Sequence, residues 1–285
     1  GKGQSKIDWL ISYNFIANNQ PDQWTVSYSK VINGLSGYAA DITTLGKSNS
    51  RLFGNLNESI WNAGLNYSLP LPIFFKTTFK AGIFGQYRYR DFQNRYLGAT
   101  LSPNYADGET LRNLPIDQLF ALETIGKNAY TLEDQTGAAD RYDARVTTSG
   151  AFAMMDHKIT ESFRAVWGLR AENYQVWVSS AGQPIADKNW LDFLPSLNLT
   201  YSLSDRANLR AGYFRSVARP ELRELTQMSY YDYELSATMA GNPSLERTSI
   251  DNMDLRYEWY PKSGEIVSAS VFYKHFTNAI ESRVY

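Results

Sequence analysis

The chain has 285 residues, with 28 Lys+Arg against 29 Asp+Glu and a formal net charge of −1. It lacks the cationic excess of a phosphate-tracking surface, which argues against nucleic acid as a partner. Apolar residues make 43% and aromatics 14%, which is not the composition of a disordered chain. It contains no cysteine and two histidines, His157 and His275, so disulfide frameworks and thiolate metal sites are out and no cofactor or metal is expected.

No run approaches the roughly 18 consecutive apolar residues of a membrane helix. A transmembrane β-barrel remains open, because alternating lipid-facing and lumen-facing residues average to a soluble-looking hydropathy. The period of the pattern decides between helix and strand. Ser59, Trp61, Ala63, Leu65, Tyr67 and Leu69 alternate with Ile60, Asn62, Gly64, Asn66 and Ser68. Phe79, Ala81, Ile83, Gly85, Tyr87 and Tyr89 alternate with Lys80, Gly82, Phe84, Gln86, Arg88 and Arg90. The same period runs through Phe163–Ala171, Phe193–Leu203, Leu209–Tyr213 and Met253–Trp259.

Ten strands are predicted, at about 5–17, 23–32, 56–69, 73–91, 141–155, 160–178, 191–203, 206–217, 249–260 and 264–277. Short connections (18–22, 70–72, 156–158, 204–205, 261–263) alternate with longer ones at about 33–55, 92–140, 179–190 and 218–248. Antiparallel strands reverse direction each time, so short turns collect on one edge and long loops on the other, the asymmetry of an outer-membrane barrel. A helical turn or two is predicted after Pro115 within the largest loop.

A soluble antiparallel sheet also alternates. Three features favour the membrane: strands of ten residues or more, where about 9–11 cross the hydrocarbon; a face without charge; and aromatics near strand ends, where barrels carry interfacial girdles. On this reading Lys76, Lys80, Arg88, Arg90, Arg164, Arg170, Glu172, Arg210, Asp254, Arg256 and Glu258 line the lumen, as a wet wall with cross-strand ion pairs or as contacts to a solute. Arg215, Arg219, Glu221, Arg223 and Glu224 lie at the extracellular mouth, with Pro220 ending the ladder. Tyr230, Tyr231 and Tyr233, and Tyr130 in the other large loop, are candidates for solute contact.

The run Leu194–Leu203, the run Asn208–Leu225 with its Arg-Ser-Val-Ala-Arg-Pro-Glu-Leu core, and Gly241-Asn-Pro-Ser-Leu-Glu-Arg continuing to Tyr260, then Ser268–Lys274, resemble the barrel of TonB-dependent outer-membrane receptors. The resemblance spans about residues 190 to 280, and 92 to 140 carry no such signature. It implies a plugged barrel in the outer membrane of a Gram-negative bacterium, taking up a scarce solute (siderophore, cobalamin, glycan or peptide) with energy from the TonB complex. Implied partners are outer-membrane lipid, the solute and an extracellular lipoprotein. No plug domain, TonB box, signal peptide or terminal barrel strand is recognisable, and such transporters have 22 strands. The fold expected is therefore all-β: an antiparallel, up-and-down, open and strongly curved part-barrel of about ten long strands occupying 1–285, an internal segment of a longer receptor.

Two other readings have discriminating features. A complete ten-stranded barrel enzyme, protease-like, needs His and carboxylates together at the long-loop end. His157 is placed instead near a short turn, and His275 is in phase with the outward Val271 and Tyr273. A soluble β-rich binding domain would stay in solution without detergent.

Overall fold

The computed structural model describes residues 4–30, 37–42, 49–72, 75–102, 108–126, 129–232 and 237–283. In chain order the elements are β1 (Lys6–Val26), β2 (Tyr28–Lys30), β3 (Tyr38–Ala40), β4 (Asn49–Pro72), β5 (Lys76–Leu101), α1 (Gly108–Arg112), α2 (Ile116–Leu119), β6 (Tyr130–Asp134), β7 (Arg141–Lys158), β8 (Phe163–Ser180), β9 (Gln183–Ser204), β10 (Ala207–Ala218), β11 (Ser229–Asp232), β12 (Ala237–Ala240), β13 (Thr248–Trp259) and β14 (Val267–Thr277). Ten strands form one antiparallel sheet in the order β1-β4-β5-β7-β8-β9-β10-β13-β14, with β6 added on β5. The path ends at β1 and β14, so the sheet is an open part-barrel of up-and-down neighbours. Two small hairpins, β2 with β3 and β11 with β12, stand apart from it.

The register carries the sequence alternation across the whole sheet. Cross-strand partners on the nine-strand path are odd with odd and even with even, except beyond β-bulges at Gln20/Gln23, Val178/Ser179 and Ala207/Asn208. Side-chain direction has a period of two, so one parity means one face. Odd positions make the apolar face: Trp9, Leu65, Ile83, Trp167, Phe193, Leu255 and Val271 are all exposed. The row Tyr13, Trp61, Tyr87 lies in register on it, with the Tyr13 and Trp61 rings 4.3 Å apart. Even positions make the polar face, which a barrel of this kind turns toward its lumen. Most exposed apolar residues on the even face, Leu10 and Ile16 on β1 and Phe272 and Phe276 on β14, belong to the two edge strands, with Phe214 on the inner strand β10 the exception among those of the main path.

The strand bounds differ from the sequence expectation in several places, two of them with a clear tertiary reason. Residues 18–22 do not turn: the predicted strands 5–17 and 23–32 give way to a single β1 of 21 residues. Asn-Asn-Gln-Pro-Asp has turn composition, but pairing with β4 continues past it through a bulge, and the Asp22 carboxylate takes two hydrogen bonds from Arg51, at 3.0 and 2.5 Å. The expected loop at 179–190 is mostly strand, because β8 and β9 run on to a tight turn at Ala181-Gly182, both at positive φ. The ladders also reach past the other predicted loop bounds, with β4 starting at Asn49 and β5 ending at Leu101. These strands far exceed the ten or so residues a membrane needs, and their outer parts stand above it. His157 lies inside β7, not in the turn, with Nδ1 at 2.9 Å from Thr77 Oγ1.

Two apolar clusters cap the outer ends. Val26, Tyr28, Ile42 and Leu101 pack with Leu111, Leu114, Leu119, Phe120 and Tyr130, and α2 supplies the helical turn expected after Pro115. Tyr130 is fully buried there, its ring 6.0 Å from Phe120. It is packing, not the solute contact suggested for it. The second cluster sits on the even face, where Tyr142, Ala144, Val146, Val176, Val178 and Trp190 are covered by Leu222, Leu225 and Leu245 of the β10–β13 connection.

Candidate functional site

Three groups on the even face each hold buried carboxylate between guanidiniums, with further charges beside them. Glu58, 3% exposed, accepts from Arg88 Nε at 2.7 Å and Arg90 Nε at 2.5 Å. Arg90 also reaches the Tyr142 hydroxyl at 3.4 Å. Glu258 accepts from Arg210 Nε at 3.0 Å, Arg256 Nε at 3.1 Å and the Tyr260 hydroxyl at 3.0 Å. Arg210 and Arg256 are direct cross-strand partners, a like-charge pairing that is unfavourable unless an anion serves both. Arg164 makes a bidentate pair with Asp156 at 2.8 and 2.6 Å. Lys80 is exposed on the same face, between Ser68 and Met154 in register.

The largest unit joins the wall to the outer loop. Glu172 and Asp192 are direct partners on β8 and β9. Arg219, the first residue after β10, donates Nη1 to Glu172 at 2.7 Å and Nη2 to Asp192 at 3.1 Å. Its guanidinium lies 4.4 Å from the Tyr174 ring centroid. Arg170 adds a bond to Glu172 at 2.5 Å and stacks over Phe84 at 3.8 Å. Phe84 in turn covers Gly150, where a Cβ would meet the ring at 2.5 Å. Arg247, from the far end of the same loop, pairs with Asp192. Its neighbour Glu246 accepts from the Trp190 indole at 2.8 Å and Lys188 Nζ at 2.9 Å, and these bonds, Lys188 first, hold the Glu246 carboxyl below the usual glutamate range.

The loop is closed on itself by backbone contacts. Glu221 N–H donates to Glu224 Oε2 at 2.8 Å, Asn242 N–H donates to the Glu224 carbonyl at 2.6 Å, and Thr226 Oγ1 donates to the Arg223 carbonyl at 2.7 Å. Gly241 is packed so close that a Cβ there would stand 2.3 Å from the Thr226 carbonyl oxygen. The two family-like runs, Arg-Pro-Glu-Leu and Gly-Asn-Pro-Ser-Leu-Glu-Arg, are thus the two halves of one docked unit. A cavity of about 520 Å³ opens beneath it, beside Arg170, Glu172, Ser196, Asn198 and Arg219.

Of the other mouth candidates, Arg215 is on the odd face, bonded to Asp251 at 2.9 and 3.2 Å together with the Tyr213 hydroxyl at 2.8 Å. It does not join Arg219. Glu221 and Arg223 are exposed and Glu224 half-buried. Tyr230 and Tyr231 lie in β11, opposite Met239 and Thr238; Tyr233 lies outside the described residues. Glu58, Asp192, Glu246 and Arg247 were not singled out from sequence. The phase of the alternation could have found Glu58 and Asp192, which share the parity of Arg88 and Glu172.

Comparison with known proteins agrees with this geometry. The profile of the outer membrane protein β-barrel family matches residues 18–285. The chain belongs to that family. It is an outer-membrane barrel protein of a Gram-negative bacterium. It is 30% identical over 106 residues to the ferric enterobactin receptor of Pseudomonas aeruginosa strain PAO1, a match covering 34% of the chain and 14% of the receptor. Its fold matches the ferripyoverdine receptor of the outer membrane of Pseudomonas aeruginosa bound to ferripyoverdine (TM-score 0.56, 12% identity, 96% of this chain and 31% of that one). It also matches the copper transporter OprC (TM-score 0.55, 14% identity, 94% and 35%). The chain spans about a third of the length of these structures. The resemblance to TonB-dependent receptor barrels seen in residues 190 to 280 stands, and the relatives are transport receptors.

Proposed function

We propose that this chain forms part of the wall of a TonB-dependent outer-membrane receptor for energised uptake of a scarce, anionic solute, a metal chelate of the siderophore type being the best fit. The observation that carries the reading is the composition of the even face. The Glu58, Glu258 and Glu172–Asp192 units each hold one more guanidinium than carboxylate, and the exposed Lys80 and Asp254 on the same face offset each other. A cleft lined by one sign of charge and walled by low-dielectric protein concentrates ligands of the opposite sign. Arg88, Arg90, Arg164, Arg170, Arg210 and Arg256 serve as lumen wall, and Arg219 with Arg247 fixes the loop that roofs it. The named relatives, a ferric enterobactin receptor and a ferripyoverdine receptor, handle ferric chelates.

In this reading the plug and TonB contacts come from other parts of the receptor, and an extracellular lipoprotein remains a candidate partner for the loops. The role is transport, not catalysis. The test is uptake of radiolabelled iron chelates by cells with and without the intact protein, with an uncoupler in one arm. Protein-dependent uptake that stops with the uncoupler and prefers anionic over neutral chelates supports the reading. Uptake that is unaffected by the uncoupler, or that prefers cationic solutes, overturns it.

A further inference from the structure

The odd, lipid-side face does not stay apolar along the full strands. Asn19, Asn55, Gln93 and Arg141 are direct partners across β1, β4, β5 and β7. They form a polar row about 14 Å wide at the usual strand spacing. The row lines a cleft of about 710 Å³ together with Phe53 and Arg95. Asn19, Gln93 and Arg141 make no side-chain hydrogen bond or ion pair among the described residues, so their donors and acceptors are turned outward to whatever surrounds the barrel.

Height identifies the surroundings. Each of these four residues is six positions beyond the row Tyr13, Trp61, Tyr87, Thr147 on its own strand. Six positions are about 20 Å along a strand and about 15 Å in height at barrel tilt. A phospholipid headgroup layer reaches only about 5–8 Å beyond the hydrocarbon. A lipid group that touches this row therefore has to carry an extended headgroup. In between, Asp91 and Asp143 face each other, with the Tyr89 hydroxyl at 3.0 Å from Asp143. Paired carboxylates accept from hydroxyls and repel bare phosphate. Amides, carboxylates, a guanidinium and the Phe53 ring together suit sugar hydroxyls and ring faces better than a phosphodiester.

We propose that the row Asn19–Asn55–Gln93–Arg141 is a binding site for the core saccharide of outer-leaflet lipopolysaccharide, with Arg141 placed for its acidic groups, while Arg95 is paired with Asp134 at 3.1 Å on the rim of the same cleft. The site sits outside the barrel and is separate from the solute path; it rests on the odd face being the lipid side.

The test uses the intact protein purified in mild detergent, and measures binding of lipopolysaccharide with a complete core, lipid A without core sugars, and phosphatidylethanolamine. The complete-core form binds at least about tenfold tighter than lipid A, the equivalent of about 1.4 kcal/mol, and the Asn55→Leu/Gln93→Leu variant loses most of that preference while keeping its lipid A affinity. Equal binding of the complete-core form and lipid A by the wild type overturns the proposal whether or not the variant folds. So does an unchanged preference in a folded variant. A protein that stays soluble without detergent and binds none of the three lipids overturns the barrel placement itself, a failure distinct from lost discrimination.

Discussion

Glu172 stands directly opposite Asp192 on neighbouring strands, two carboxylates about 6 and 5% exposed with the guanidinium of Arg219 bridging them. Left alone, such a pair would be destabilising. The loop that carries Arg219 is thereby bound to the wall by a charge requirement as well as by Leu222 and Leu225. Removing one partner of a buried ionic unit leaves uncompensated charge and costs about 3–5 kcal/mol. Arg219→Ala should release residues 219–228 from the even face, seen as a loss of amide hydrogen-exchange protection there, with the strand ladders of β4 and β5 unaffected. Protection equal to wild type would show that the apolar contacts suffice.

Gly241 has no room for a side chain, because the nearest atoms are the carbonyls of Thr226, Glu224 and Arg223, which are backbone. Gly241→Ala should therefore displace the loop as Arg219→Ala does, at a cost of about 1–3 kcal/mol typical of overpacking. Gly212→Ala is the control, since its added Cβ meets nothing closer than 3.4 Å. Limited proteolysis in the 219–247 loop should separate the two variants.

Acidification should loosen the same loop from its other end. Glu246 has a folded pKa depressed by Lys188 and Trp190, so its contribution is present above the unfolded carboxylate value of about 4.3 and is lost as pH falls through the folded one. Half of the Glu246 side chain is exposed, which keeps the effect small. The fluorescence of Trp190, read as the difference between wild type and Trp190→Phe, should change as pH falls below about 4.3 and lose that change in Glu246→Gln. A transition near neutral pH would point to another group.

Ile83 and Gln86 lie three positions apart on β5 but on opposite faces. Arg at mid-membrane on the lipid side costs about 2–4 kcal/mol, whereas lumen positions tolerate charge. Ile83→Arg should lower the denaturant midpoint of the folded barrel and Gln86→Arg should leave it nearly unchanged. Equal losses would contradict the assignment of faces.

Much of this was legible in the sequence because a barrel wall has one dominant rule. Alternation through Phe79–Tyr89 and Trp61–Leu69 gave the faces, and even-numbered registers keep them aligned across nine strands. What failed was local. Pro21-Asp22 has turn chemistry, yet pairing with β4 and the Arg51 clamp keep it in a strand, a tertiary contact invisible to composition. The 179–190 segment is polar enough for a loop, but its outer part pairs above the membrane, where polarity no longer distinguishes strand from loop. Tyr130 was placed among possible solute contacts since nothing in its neighbours announces the cluster around Phe120. For the candidate site, Arg219, Arg170 and Glu172 were found by phase and motif, while Asp192, held by Arg219, and Glu58, held by Arg88 and Arg90, sat at predicted strand ends where phase was not followed.

The account rests on odd residues meeting lipid and even residues meeting water, and the absence of cysteine makes this directly measurable. Single cysteines at 79 through 88 of β5 in the intact protein, in native outer membrane, should react with a membrane-impermeant maleimide at Lys80, Gln86 and Arg88 and be protected at Ala81, Ile83 and Tyr87. Uniform labelling, or labelling that follows the odd positions, would contradict it.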